Sequence, residues 1–131
     1  MNPLKYIRLW TFIGYSLVIL VIVLSLFPSL PSPIDLPQVD KLYHVLVYGV
    51  LMLWFVQLHP KSRYGGLAVG FIVLGILMEV VQSQLATRSG EVWDVVANSL
   101  GVILSWGLAL MGTNTLLHQF ESRCLKVGDE K

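Results

Sequence analysis

From Leu9 to Phe27 the chain runs for 19 residues without a charged side chain. A helix rises about 1.5 Å per residue, so about 20 apolar residues cross a hydrocarbon core of roughly 30 Å. Such a run predicts a membrane span, and it stops at Pro28, in a segment with Pro31, Pro33 and Pro37 that cannot continue a helix. Three more runs follow, at about 42–58, 65–85 and 92–117, each with a single ionisable residue near one end: His44, Glu79 and Asp94. Of the 131 residues only 13% are charged, about half the usual share, and 55% are hydrophobic. A soluble core of this size cannot hide that much apolar surface. The expected fold is therefore an all-α integral membrane domain, residues 1–131, with four transmembrane helices in a compact bundle and a tail at 118–131.

The first run is longer than the h-region of a secretory signal and lacks an A-x-A site, so it reads as a retained span. Seven of the nine Lys and Arg residues fall on one side of this topology: Lys5, Arg8, Lys61, Arg63, Arg123, Lys126 and Lys131. Lys41 and Arg88 fall on the other. The positive-inside rule then places both termini in the cytoplasm and the loops holding Pro31 and Arg88 outside. In the tail, Leu116, Phe120, Cys124 and Val127 recur at helical steps, as in an amphipathic helix lying on the inner membrane surface. The net charge of +1 argues against nucleic acid as a partner, and the one cysteine excludes an internal disulfide. The bilayer is the partner that composition implies; no protein partner is indicated.

The polar residues of the spans gather at one depth. Asp40, Lys41, His44 and Tyr48 belong to the outer end of the second span, and Glu79 and Gln82 to that of the third. Arg88 is in the outer loop, and Asp94 and Asn98 begin the fourth span. Lys41, His44 and Tyr48 are three and four apart, hence on one helix face. Asp94, Asn98, Gly101, Ser105 and Gly112 form a stripe of small and polar residues, a pattern that packs membrane helices closely. Buried charge in a span is costly, about 2.5–3.5 kcal/mol near its centre. Three stretches that converge therefore predict one outward-facing pocket.

Three chemistries fit such a pocket. His44, Glu79 and Asp94 are candidate ligands of a divalent metal, zinc or manganese, if they converge. The same three are candidate catalytic residues, the histidine as general base beside an orienting carboxylate. The third chemistry is recognition: Arg88 and Lys41 grip an anionic group while Gln82, Asn98 and Tyr48 bond a polar head. The pattern does not decide whether the chain is an enzyme: a metal-dependent membrane hydrolase or transferase and a structural membrane subunit whose polar network only fixes helix packing are the alternatives to recognition. Each residue also has a structural role to play. Asp40 is placed as a helix N-cap, Asp94 suits the positive end of a helix dipole, and Lys41 could simply pair with Asp94. A transport route is disfavoured, because the inner halves of the spans carry no ionisable residue.

The blocks Asp40-Lys41-x-x-His44-x-x-x-Tyr48, Glu79-x-x-Gln82, Arg88 and Asp94-x-x-Ala97-Asn98-x-x-Gly101 resemble the VanZ-like family, small membrane proteins named after an accessory protein of teicoplanin resistance. The likeness covers residues 40–101; Val45, Gln84 and Ala86 depart from the family pattern. It implies a bacterial inner-membrane protein with a role at the cell envelope; joined to the polar pocket, the expectation is a protein that recognises or modifies a lipid-linked or cell-wall head group. The family has no established biochemical activity.

Overall fold

A computed structural model describes residues 4–27, 37–85 and 90–125. Arg88, Lys126, Val127 and Lys131 lie outside the described residues. The described residues form five α-helices and no strand: α1 (Ile7–Leu26), α2 (Pro37–Leu58), α3 (Tyr64–Ser83), α4 (Val92–Leu110) and α5 (Leu116–Cys124). The first four are long and apolar enough to cross a membrane. Single 3-10 turns, Lys61–Arg63 and Thr113–Thr115, precede α3 and α5.

Two helix boundaries differ from the sequence expectation, each for a backbone reason. The second helix starts at Pro37, not near residue 42. Proline blocks a helix interior but suits the first helical position, where its fixed φ is right and its missing N–H costs nothing. Asp40 is therefore inside the first turn and is not the N-cap. The fourth helix stops at Leu110, seven residues short of the expected 117, because Gly112 has φ +117°. That left-handed conformation suits glycine and ends the right-handed helix. Gly112 is thus a terminator, whereas Asp94, Asn98, Gly101 and Ser105 of the same stripe are buried along α4.

The largest interface joins α2 and α4, which run parallel with their N-termini side by side. Glycine makes this approach possible. A Cβ on Gly101 would collide with the carbonyl oxygen of Val45, and one on Gly49 would sit 3.1 Å from Ser105 Oγ. Around this contact Tyr48, Leu51, Met52, Phe55, Val56, Ala68, Phe71 and Val102 form the core. The first helix contributes little to it, burying only Trp10 and Gly14, while Phe12, Ile19 and Leu24 are 71%, 61% and 58% exposed.

The end of the bundle that holds the start of α1 is tied by three buried polar side chains. Gln57 donates to the carbonyls of Leu53 and Thr113 and accepts the Leu117 N–H. The Tyr64 hydroxyl donates to the Val56 carbonyl at 3.1 Å. Glu121 of α5, only 2% exposed, accepts the backbone N–H groups of Lys5 and Tyr6 at 2.8 and 3.0 Å and the Trp10 indole N–H at 2.6 Å. No side chain near α1 in sequence caps it, so the free donors leading into the helix are met from the other end of the chain. The expected surface-lying tail helix is, for residues 116–124, instead docked on α1 through Glu121.

Candidate functional site

The opposite end of the bundle is assembled from the starts of α2 and α4 and the end of α3. Because α2 and α4 touch at Gly101, the residues one to four turns before it are brought opposite one another. Lys41 Nζ lies 2.5 Å from Asp94 Oδ1 and 2.6 Å from Glu91 Oε2. Asp94 is almost buried, whereas Glu91 is half exposed. The hydrogen bond from the Lys41 ammonium holds the Glu91 carboxyl below its ordinary range. Lys41 therefore spends its charge on two carboxylates of its own chain. The geometry displays the structural pairing of Lys41 with Asp94.

His44 is the next residue on that face. Its Nδ1 is 2.9 Å from Asn98 Oδ1, and since an amide oxygen only accepts, Nδ1 carries the hydrogen. The other ring nitrogen, Nε2, faces Asp94 Oδ2 at 3.7 Å and Asp40 Oδ2 at 3.9 Å. Glu79 is placed differently from the expected trio. It accepts the Glu91 backbone N–H at 3.2 Å. Among the described residues, the group of three whose ligand atoms lie within 4.8 Å of one another is Asp40, His44 and Asp94. The helical step of four from Asp40 to His44 explains the exchange: both project toward α4, while Glu79 on α3 is turned to the loop that leads into it.

Beside these groups is a cavity of about 260 Å³. Its polar wall is Asp40, His44, Tyr48, Glu79, Gln82 and Asn98, and its apolar wall includes Val21, Leu24, Val47 and Met78. Gln82 is held by donating to the Ser25 carbonyl of α1 at 2.8 Å. Gly75 keeps α3 close to this wall, because a Cβ there would come within 3.1 Å of Asn98 Nδ2 and 3.4 Å of Tyr48 Cε1. Tyr48 is 3% exposed, and its hydroxyl has no hydrogen-bond partner among the described residues. Of the residues singled out in the sequence, Asp40, Lys41, His44, Tyr48, Glu79, Gln82, Asp94 and Asn98 meet at this end; Arg88 falls outside the described residues. The α1 residues of the apolar wall carry no signal in the sequence beyond their hydrophobicity.

No family model and no solved structure matches the chain. An uncharacterised protein of the fission yeast Schizosaccharomyces pombe is 35% identical over 86 residues, which are 63% of this chain and 51% of that protein. The matched segment thus spans about half the length of the relative. Fission yeast is a eukaryote, and this similarity overturns the bacterial inner-membrane location expected above.

Proposed function

We propose that the chain is a membrane-embedded recognition protein, VanZ-like in its polar blocks, whose cavity holds the polar head of an amphiphilic, lipid-linked molecule. Insertion in a bilayer is supported by the four long apolar helices and by the exposed Phe12, Ile19 and Leu24 of α1, side chains that match a hydrocarbon solvent. Recognition rests on one observation, the two-sided lining of the cavity. Carboxylates, amides, an imidazole and a phenol face apolar side chains from α1, α2 and α3 across the same space. A volume of about 260 Å³ lies just under the roughly 300–1,000 Å³ of small-molecule pockets. It suits a head group better than a whole lipid. The buried, unpartnered Tyr48 hydroxyl supplies a hydrogen bond that the folded protein leaves unused.

The test is to purify the protein in mild detergent and identify co-purifying amphiphiles by native mass spectrometry. Val47→Trp, which fills the cavity from its apolar wall, is expected to abolish retention. Tyr48→Phe is expected to lower occupancy about 2- to 10-fold, the worth of one net hydrogen bond. It should leave the melting temperature of the ligand-free protein equal or slightly higher, because an unsatisfied buried hydroxyl is removed. A wild type that retains no amphiphile, or a Val47→Trp protein that retains as much as wild type, would overturn the proposal.

A further inference from the structure

The tautomer of His44 leaves an electrostatic debt at the mouth of the cavity. With Nδ1–H committed to Asn98, a neutral ring turns the bare lone pair of Nε2 toward two carboxylate oxygens, 3.7 and 3.9 Å away. Three acceptors then converge with no hydrogen among them. A proton on Nε2 does not bridge these gaps, because N–H···O bonds need about 2.7–3.2 Å. One metal ion does after a small shift: ligand atoms bonded at about 2.0–2.2 Å around a tetrahedral ion lie roughly 3.3–3.6 Å apart, a few tenths of an ångström closer than these. The local charge asks for the same thing. Three carboxylates, Asp40, Glu91 and Asp94, gather around the Lys41 ammonium and the His44 ring, an excess of negative groups that a divalent cation offsets.

We propose that Asp40, His44 and Asp94 bind one divalent transition-metal ion of the zinc or manganese class. One imidazole nitrogen and two carboxylates form the three-ligand, open-position pattern of exchangeable sites, and a ring nitrogen selects against magnesium and calcium. Asp94 is pre-positioned by Lys41 on its Oδ1, leaving Oδ2 for the ion. His44 is pre-positioned by Asn98, the kind of outer partner that orients metal-binding histidines. Asp40 is 62% exposed and makes no hydrogen bond among the described residues, so it is the ligand free to swing in. Independent of this cluster, Tyr48 lies one turn from His44 on the same face of α2. Its buried hydroxyl lines the same cavity and lacks a partner. Its unused hydrogen bond is open to an occupant of that cavity, a metal-held water or the head group proposed above.

The test does not depend on any lipid. Tag-free protein in detergent, stripped of metal with chelator, is titrated with zinc alone and followed by calorimetry and melting temperature. Saturation at one ion per chain and a raised melting temperature are expected. Asp40→Asn removes an exposed ligand without removing a structural bond. It should melt like the metal-free wild type and bind zinc at least tenfold more weakly. Cobalt in place of zinc should give visible bands that change in His44→Gln, reporting loss of a nitrogen ligand. No saturable binding by wild type, or wild-type affinity in both variants, overturns the site. A lipid-free protein that binds zinc but retains no amphiphile leaves this site standing and removes the recognition reading alone.

Discussion

Gly101→Ala is expected to cost the folded protein about 3 kcal/mol or more, although it adds one methyl group. The new Cβ would meet the Val45 carbonyl oxygen and carbon and the Gly49 nitrogen, all backbone atoms of α2. A flexible side chain can turn aside; a helix backbone cannot. Overpacking a core usually costs about 1–3 kcal/mol, and here relief requires α2 and α4 to separate along their shared length. Against a total stability of about 5–15 kcal/mol, that is a large fraction. The same substitution at Gly66 or Gly70 of α3, where a Cβ meets nothing within 4 Å, should be neutral or stabilise by up to about 1 kcal/mol. Melting temperatures of the three variants in one detergent decide the matter. Equal values would mean that α2 and α4 do not touch as described. Because the polar groups at the bundle end are set opposite one another by this contact, Gly101→Ala should also weaken zinc binding and amphiphile retention.

Glu121→Ala should release α5 and loosen the start of α1. It strands three donors, the N–H groups of Lys5 and Tyr6 and the Trp10 indole. An unsatisfied buried donor costs about 1–3 kcal/mol, and partial rehydration brings the sum to about 2–4 kcal/mol. That corresponds to roughly 30- to 1,000-fold faster amide exchange at Lys5 and Tyr6. Unchanged protection at those two amides would dismiss the clasp. Acid should mimic the substitution. Burial disfavours the Glu121 charge, but the bonds from Trp10, Tyr6 and Lys5, with help from His118, outweigh it and hold the carboxyl below its ordinary 4.5. A carboxyl lowered by folding contributes its full stabilisation above that ordinary value and loses it as pH falls through the lowered one. Protection at Lys5 and Tyr6 is therefore expected to be flat at neutral pH and to fall only as the pH drops below the ordinary carboxyl value, once intrinsic exchange is corrected for. Glu121→Gln should remove that acid transition.

The helices were legible because each needs only local information, a long apolar run bounded by prolines, glycines or charge. Their ends were less so. Pro37 and Gly112 each have two local meanings, and the choice between them depends on backbone conformation that spacing does not reveal. At the candidate site, the helical steps put His44 and Asp94 in one neighbourhood. The rank of their neighbours depended on where α2 begins. Starting at Pro37 rather than near residue 42 carries Asp40 into the helix and onto the face of His44, and Glu79 is drawn to the Glu91 N–H instead. Gln57, Tyr64 and Glu121 escaped notice because their roles are set by partners brought close only by the fold: Thr113, Val56, Lys5 and Trp10. Two signals pointed that way. Trp10 carries an indole N–H that needs an acceptor at the end of an apolar run, and Glu121 is an acid in a tail helix with an apolar face.

The Glu121 clasp joins positions 116 and 115 residues apart in the chain, which orders events during synthesis. The segment that becomes α1 leaves the ribosome well before α5, and its leading amides do not meet Glu121 until α2, α3 and α4 have been made. Until then the first helix is held by its apolar flank and by the bonds of Gln82 and Trp54 to its Ser25 and Trp10 carbonyls. A nascent chain halted after α4 has the α2–α4 contact and the polar cluster at the far end, but the start of its first helix is unfastened. Docking of α5 is thus a closing step for α1, and a chain cut between α4 and α5 should show its lesion at Lys5, Tyr6 and Trp10, more than a hundred residues from the cut.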